Sequence, residues 1–360
     1  MSSLLKNTVL LLAKPVFTLL FLCVTLIVFL FHTRNYNFIV DDYYLLAITL
    51  KRSFTESMQY LYMQVNGRWF SNALAAAVFG NLGCRPYLYW YVQLTQFFLF
   101  LLSVSFFFRS VFKITTRQSL HTGAFFTCLF YWFCFDARVE VWYWEASCLV
   151  HLVCLVCIFF LYGIILREQM AGTLKIPAVI IFSLFIGGLS ETFALACILI
   201  SLYQVVRNRK EKNDFLLLHV LVVVFISISL AVDYFCPGTD IRIHNQPIAE
   251  IGPGLKNTIY SFYLQLTKFK YLPFKAVALF LLWPLALLIR KQAGINGFSG
   301  FGITKIDFLL IVVLILQNTF IPAHLTSFET ADRIFVFNWI LILLLLLNYL
   351  LKRSNNIISS

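Results

Sequence analysis

Two adjacent acids, Asp41 and Asp42, follow closely on the apolar run Pro15 to Phe31, which is long enough to cross much of a bilayer. Hydrophobicity does not ask for charge at the mouth of a spanning helix, where neighbouring carboxylates lose hydration and repel one another. Such a pair is either an ordinary solvated turn or one that meets a cation, holds a metal or moves a proton. Further along, Arg68 stands in GRWFSN, Glu145 in VEVWYWEAS, Glu191 in SETF, Arg242 in CPGTDIR, and Arg333 just before the last apolar run. These residue types share two kinds of chemistry. A carboxylate can take a proton from a hydroxyl, and guanidinium groups grip anion oxygens in pairs while keeping their charge near lipid. Each arginine also has a plainer reading, a side chain that snorkels to lipid headgroups. Glu191 lies between two apolar runs, where a carboxylate is expensive unless it is used. His32, His151, His244 and His324 share no ligand spacing and support no metal site. The nine cysteines are odd in number and mostly inside apolar runs, so they read as small apolar residues; Cys84 and Cys236, both outside the runs, leave one bridge open.

What must position these residues is a membrane bundle. With 61% hydrophobic and 12% charged residues, a chain of 360 residues could not cover the surface of a soluble domain. Apolar runs at about 15–33, 87–108, 120–135, 147–166, 176–190, 192–206, 215–233, 271–289, 306–322 and 334–351 predict an all-α polytopic bundle of about ten spans, a single transmembrane domain over 1–360. The first run reads as an uncleaved span, because FHTR after it is no small-residue cleavage site. The clusters Arg109/Lys113/Arg117, Arg167/Lys175, Arg207/Arg209/Lys210/Lys212, Arg290/Lys291/Lys305 and Lys352/Arg353 mark alternate connections, which places them and both termini in the cytoplasm. Of the 16 acids only Glu168, Glu211, Asp214 and Asp307 fall on that side. The net charge of +12 is then a matter of topology and asks for no nucleic-acid partner.

Two connections on the opposite side are long, 34–86 and 234–270. The first is expected to form interfacial helices lying on the bilayer, with Phe54, Met58, Leu61 and Tyr62, then Trp69, Phe70, Leu74 and Val78, at helical spacing. Runs 176–190 and 192–206 flank Gly187, Gly188, Ser190 and Glu191 and are expected as a hairpin, because a single tilted span would carry Arg207 to Lys212 outside.

DDYY after the first span, GRWFSN, the aromatic VEVWYWEAS, SETF at the hairpin and CPGTDIR together resemble bacterial integral-membrane glycosyltransferases of the GT-C superfamily, over about residues 15 to 333. The likeness is to little-characterised members related to enzymes that glucosylate O-antigen. One departure is Pro237-Gly238-Thr239, where the resemblance leads one to expect an Asn in a PGN-like turn. The resemblance implies a polyprenyl-phosphate-linked sugar donor and transfer with inversion to an envelope glycan, lipid or protein, at the outer face of the bacterial cytoplasmic membrane. On it, Asp41 is the general base with Asp42 second, and Arg68, Arg242 and Arg333 hold the donor phosphate. Trp69, Trp142, Trp144, Glu145 and Glu191 contact sugar or acceptor, the tryptophans having an aromatic belt at the membrane interface as their other reading. No cofactor is demanded, although Asp41 and Asp42 are compatible with a divalent ion bridging to a sugar phosphate.

Two other classes stay open. A transporter or flippase for a lipid-linked glycan uses the same residue types, but places charge near the middle of several spans. A non-enzymatic envelope-assembly protein needs no individual outer acid. The absence of an internal repeat weighs against a transporter of inverted halves. The alternation of basic clusters predicts Asp41, Glu191 and Arg333 on one side of the membrane and Lys210 on the other. In a cysteine-free background, cysteines at 41, 191 and 333 are expected to react with an impermeant maleimide in whole cells. One at 210 is expected to react only after permeabilisation, and outward labelling there would sink this topology.

Overall fold

A computed structural model of the chain describes residues 8, 11–34, 40–83, 85, 88–135, 139–168, 170–208, 214–245, 256, 272–293, 307, 309–317 and 332–353. Among these residues all regular structure is helical. In chain order the helices are α1 (Pro15–Arg34), α2 (Val40–Thr49), α3 (Phe54–Gln64), α4 (Trp69–Leu82), α5 (Tyr89–Phe112) and α6 (Thr116–Phe133). A π-helical turn, Val139–Tyr143, leads into α7 (Glu145–Leu166), α8 (Gly172–Gly187), α9 (Glu191–Arg207), α10 (Asp214–Tyr234), α11 (Pro237–Asn245) and α12 (Leu272–Gln292). Residues 309–317 form α13, and Asp332–Arg353 form α14.

Continuous apolar sequence makes helices here because an apolar surround offers backbone groups no partner but each other. Five helical stretches are long and apolar enough to cross a membrane: Pro15–Arg34, Tyr89–Phe112, Glu145–Leu166, Phe215–Tyr234 and Pro273–Gln292. The described residues are thus those of a membrane protein and are all-helical in their regular structure. Two further apolar helices, Gly172–Gly187 and Phe337–Leu351, are shorter. Between the apolar helices, local signals fix the starts: Pro15 opens α1, and capping boxes Ser53/Glu56 and Thr115/Gln118 open α3 and α6. The second long connection, 234–270, lies mostly outside the described residues, as do Cys84 and Lys210.

Side-chain contacts define two ends of the bundle. At one end Lys113 pairs with Glu168 at 2.9 Å, Arg207 with Asp307 at 2.8 Å, and Thr122 Oγ1 donates to Gln292 Oε1 at 2.8 Å. The described basic clusters collect there. The opposite end carries α2, α3, α4, the π-helical turn, the start of α7 and α11, and with them Asp41, Asp42, Glu145, Glu191 and Asp233. Helices α8 and α9 run antiparallel, as the hairpin reading expects. Ser229 near the end of α10 donates to Leu184 O in α8 at 2.8 Å, while Ser201 in the second half of α9 meets His219 near the start of α10 at 3.3 Å.

The core beneath the acidic end is aromatic. Phe29, Phe97, Phe100, Phe130, Tyr131, Trp142 and Tyr143 are all buried, with Phe29 and Phe97 at 5.0 Å between ring centroids and Phe97 and Trp142 at 5.6 Å. Helices α5 and α6 touch through backbone at Gly123, where a Cβ would stand 2.8 Å from Ser105 Cα. Gly123→Val is therefore expected to destabilise the fold by about 1–3 kcal/mol, the usual cost of overpacking. Gly172→Ala, which meets open space, is the control expected to leave the unfolding midpoint of the purified protein in place.

Candidate functional site

The acid pair lies in the first turn of α2. Neighbouring residues on a helix point about 100° apart, and here that rotation separates the two carboxyls. Asp41 is exposed, whereas Asp42 is fully buried and its Oδ1 accepts the backbone N–H of Ala146 at 2.9 Å. Trp144, at the N-cap of α7, offers no side-chain cap, so Asp42 caps that helix from another part of the chain. A carboxylate there also faces the positive end of the helix dipole. Of the two expected bases, only Asp41 has its carboxyl open to a substrate.

Beside Asp42 lies Glu145, also fully buried. Its Oε1 accepts from Gln96 Nε2 at 2.7 Å, and Gln93, one turn earlier on α5, donates to Tyr143 O at 2.7 Å. This bond secures the π-helical turn against α5. Trp142, expected at a sugar, is instead 1% exposed inside the aromatic core, where its ring faces Phe29, Phe100 and Tyr131. Glu145 likewise presents nothing to the surface. Trp144 is half-buried.

A second constellation forms around GRWFSN. Gly67 N donates to Thr239 Oγ1 at 2.9 Å, and Thr239 Oγ1 donates to Asp233 O at 2.7 Å. A Cβ on Gly67 would collide with that same Asp233 carbonyl, so this approach requires glycine. Arg68 Nε and Nη2 both reach Glu191 Oε2, at 2.9 and 2.7 Å, with the two side chains 26% and 30% exposed. Trp69 Nε1 donates to Ser229 Oγ at 2.9 Å, and Phe70 stacks on Phe185 at 3.9 Å between centroids. The amides of Phe70 and Ser71, free at the start of α4, both donate to Gly188 O at 3.1 Å. Cys236 Sγ bonds Tyr62 O, which binds the CPGT turn to α3.

Three stretches far apart in sequence, GRWFSN, the α8–α9 tip and CPGT, thus close on one another. Residues 67–71 pack against the tip of the helical hairpin and the end of α10. Arg68 lies within electrostatic range of Cys154, which is roughly 13 Å along α7 from Glu145 at 1.5 Å per residue. Burial is the largest influence on its guanidinium and lowers the pKa. Glu191, aided by Asp233 and Cys154, outweighs it, and the pKa ends above the ordinary arginine value.

Helix α11 carries Arg242 and the first turn of α14 carries Arg333; the side chains of both lie outside the described residues. Phe337 and Phe193 meet at 5.1 Å between centroids, which brings the start of α14 to the hairpin tip beside Glu191. Sequence reasoning missed Asp233, buried near Arg68, and the polar ladder Gln93 and Gln96. The ladder had a signal: two amides three residues apart in an otherwise apolar run share one helix face. Among the described residues no group of three or more His, Cys, Asp and Glu could hold a metal ion. No family model matches the chain, and neither a curated protein nor a solved structure is significantly similar to it.

The ion pair yields a direct test. Arg68→Glu or Glu191→Arg alone is expected to destabilise the protein by on the order of 3 kcal/mol, because each leaves like charges inside the bundle. The double reversal is expected to regain part of this, short of the whole because Asp233 would then face a glutamate. Unfolding curves of the four purified proteins measure the coupling.

Proposed function

We propose that the chain is a membrane glycosyltransferase of the GT-C type, with about ten spans. It moves a sugar from a polyprenyl-phosphate-linked donor to an acceptor of the cell envelope at the outer face of the cytoplasmic membrane. The observation that carries this reading is the gathering of the five motif stretches at one end of the bundle: DDYY against the start of α7 through Asp42, and GRWFSN against SETF and CPGT through Arg68 and Gly67. In support of the span number, the contacts carry α6, α8, α9 and α14 between the two ends beside the five longer apolar helices, and Gln317 in α13 reaches Thr192 O at 3.3 Å, while Asp307 just before it meets Arg207.

In this reading Asp41 accepts the proton of the acceptor hydroxyl, and Asp42 positions it by tying α2 to α7. The donor phosphate falls to Arg242 and Arg333, with the guanidinium N–H groups that Arg68 does not spend on Glu191 as a third contact. One observation favours the second reading, a transporter or flippase for a lipid-linked glycan. The Arg68–Glu191 pair is partly buried in the bundle, with Arg68 within electrostatic range of Cys154 on α7, and a transporter carries charge inside its bundle.

Transfer of radiolabelled sugar from a polyprenyl-phosphate donor in membranes separates these readings. Asp41→Asn keeps size and hydrogen bonding but cannot take a proton, so turnover is expected to fall by roughly 10²–10⁴ while donor binding survives. Asp42→Asn is expected to remain active, because asparagine caps a helix nearly as well as aspartate. Full activity in Asp41→Asn removes the base assignment. A wild type that transfers no sugar yet moves a lipid-linked glycan across vesicles moves the conclusion to the transporter.

A further inference from the structure

We infer a binding site for a monovalent metal cation, Na⁺ in the first instance, inside the bundle where α5, the π-helical turn and α7 meet. Its ligands are Glu145 Oε2 and the amide oxygens of Gln96 and Gln93. All three side chains are nine-tenths or more buried. Each has committed one end: Glu145 Oε1 accepts from Gln96 Nε2, and Gln93 Nε2 donates to Tyr143 O. Their remaining oxygens, Glu145 Oε2, Gln96 Oε1 and Gln93 Oε1, are acceptors that meet no donor among the described residues. A proton on Glu145 Oε2 would give a donor to one of the two amide oxygens, whereas a cation can meet all three acceptors at once. Leaving even one such group unmet costs a large part of its desolvation.

The charge decides which ligand fits. The ionisable groups facing Glu145 are Asp42 and Cys148, and neither supplies a positive charge. Asp42 is itself met by Ala146 N–H and the positive end of α7, so it needs no full counter-charge from a shared ion. Asp41, on the exposed side of α2, is turned away. With Glu145 ionised, one negative charge is left for one positive charge to match. A hard ion with carboxylate and amide oxygens around it suits that demand, and Na⁺ sites inside membrane bundles are built from such oxygens beside irregular backbone. The irregular backbone here is the π-helical turn, whose Trp144 N–H bonds Val139 O at 2.6 Å. The inference holds whether the protein transfers a sugar or moves a lipid, because the ion ties α5 to α7 in both cases.

The test uses the full-length protein in detergent, with ²²Na⁺ as the probe and choline chloride holding ionic strength constant. Wild type is expected to bind ²²Na⁺ saturably, Glu145→Gln to lose that binding, and Gln96→Leu to weaken it by roughly tenfold or more. Unfolding temperature is expected to rise with NaCl over choline chloride in wild type and not in Gln96→Leu, a readout that stands if Glu145→Gln fails to fold. Absence of saturable ²²Na⁺ binding in wild type overturns the site, as does equal binding in Glu145→Gln. An infrared carbonyl band of a protonated carboxyl that disappears in Glu145→Gln and ignores Na⁺ also overturns it, with a proton in the ion's place.

Discussion

A charge placed inside an apolar bundle has to be met where it lies, and Arg68 is the charge on which this structure turns. Its guanidinium reaches Glu191 across the tip of a helical hairpin, and the contacts nearby serve to bring the two together. The α8–α9 reversal lifts Glu191 to the first turn of α9, while Gly67 lets the chain press against the end of α10. Gly188 turns its carbonyl to the bare amides of α4, and Trp69 is anchored on Ser229. Residues 67–71 carry backbone that no lipid could satisfy, and the bundle supplies its partners. This segment and the ion pair therefore depend on each other.

The start of α7 solves the same problem by different means. There a helix terminus receives the carboxylate of Asp42 through the Ala146 N–H. Two adjacent acids that look interchangeable in sequence acquire different tasks, one exposed and one structural. A proton-transfer role needs access to a substrate as well as basicity, and burial removes Asp42 from that role before any question of its charge arises. The same reasoning moves Trp142 from a sugar contact into the core. Its ring is enclosed edge-to-face by other aromatic rings, and its buried Nε1 meets no acceptor among the described residues.

The proposed chemistry rests on what remains open after this sorting. Asp41 is exposed at the end of the bundle where the acids collect, and half-buried Arg68 retains N–H groups beyond those that Glu191 uses. A base at the surface and a cation deeper in the bundle suit a reaction between a soluble or surface hydroxyl and a lipid-borne phosphate. The burial of Arg68 is also what keeps a transporter in view, since charge inside the bundle serves passage as readily as it serves a leaving group.

Helix positions, the segregation of basic and acidic ends and the hairpin at Gly187–Glu191 were legible from sequence alone, because each follows from local composition. An apolar run of sufficient length becomes a helix, and glycines beside a charge mark where a short one turns back. Even the grouping of motifs at one end follows from counting crossings. Which acid faces out, which tryptophan is enclosed and which arginine is paired were decided only by the tertiary structure. Asp42 meets Ala146 across 104 positions, Arg68 meets Glu191 across 123 and Gly67 meets Thr239 across 172. Contacts of that reach leave no periodicity in the chain. Side-chain types along a sequence state what chemistry is on hand, but burial and partnership, which select among the uses of a carboxylate, exist only once distant segments have packed.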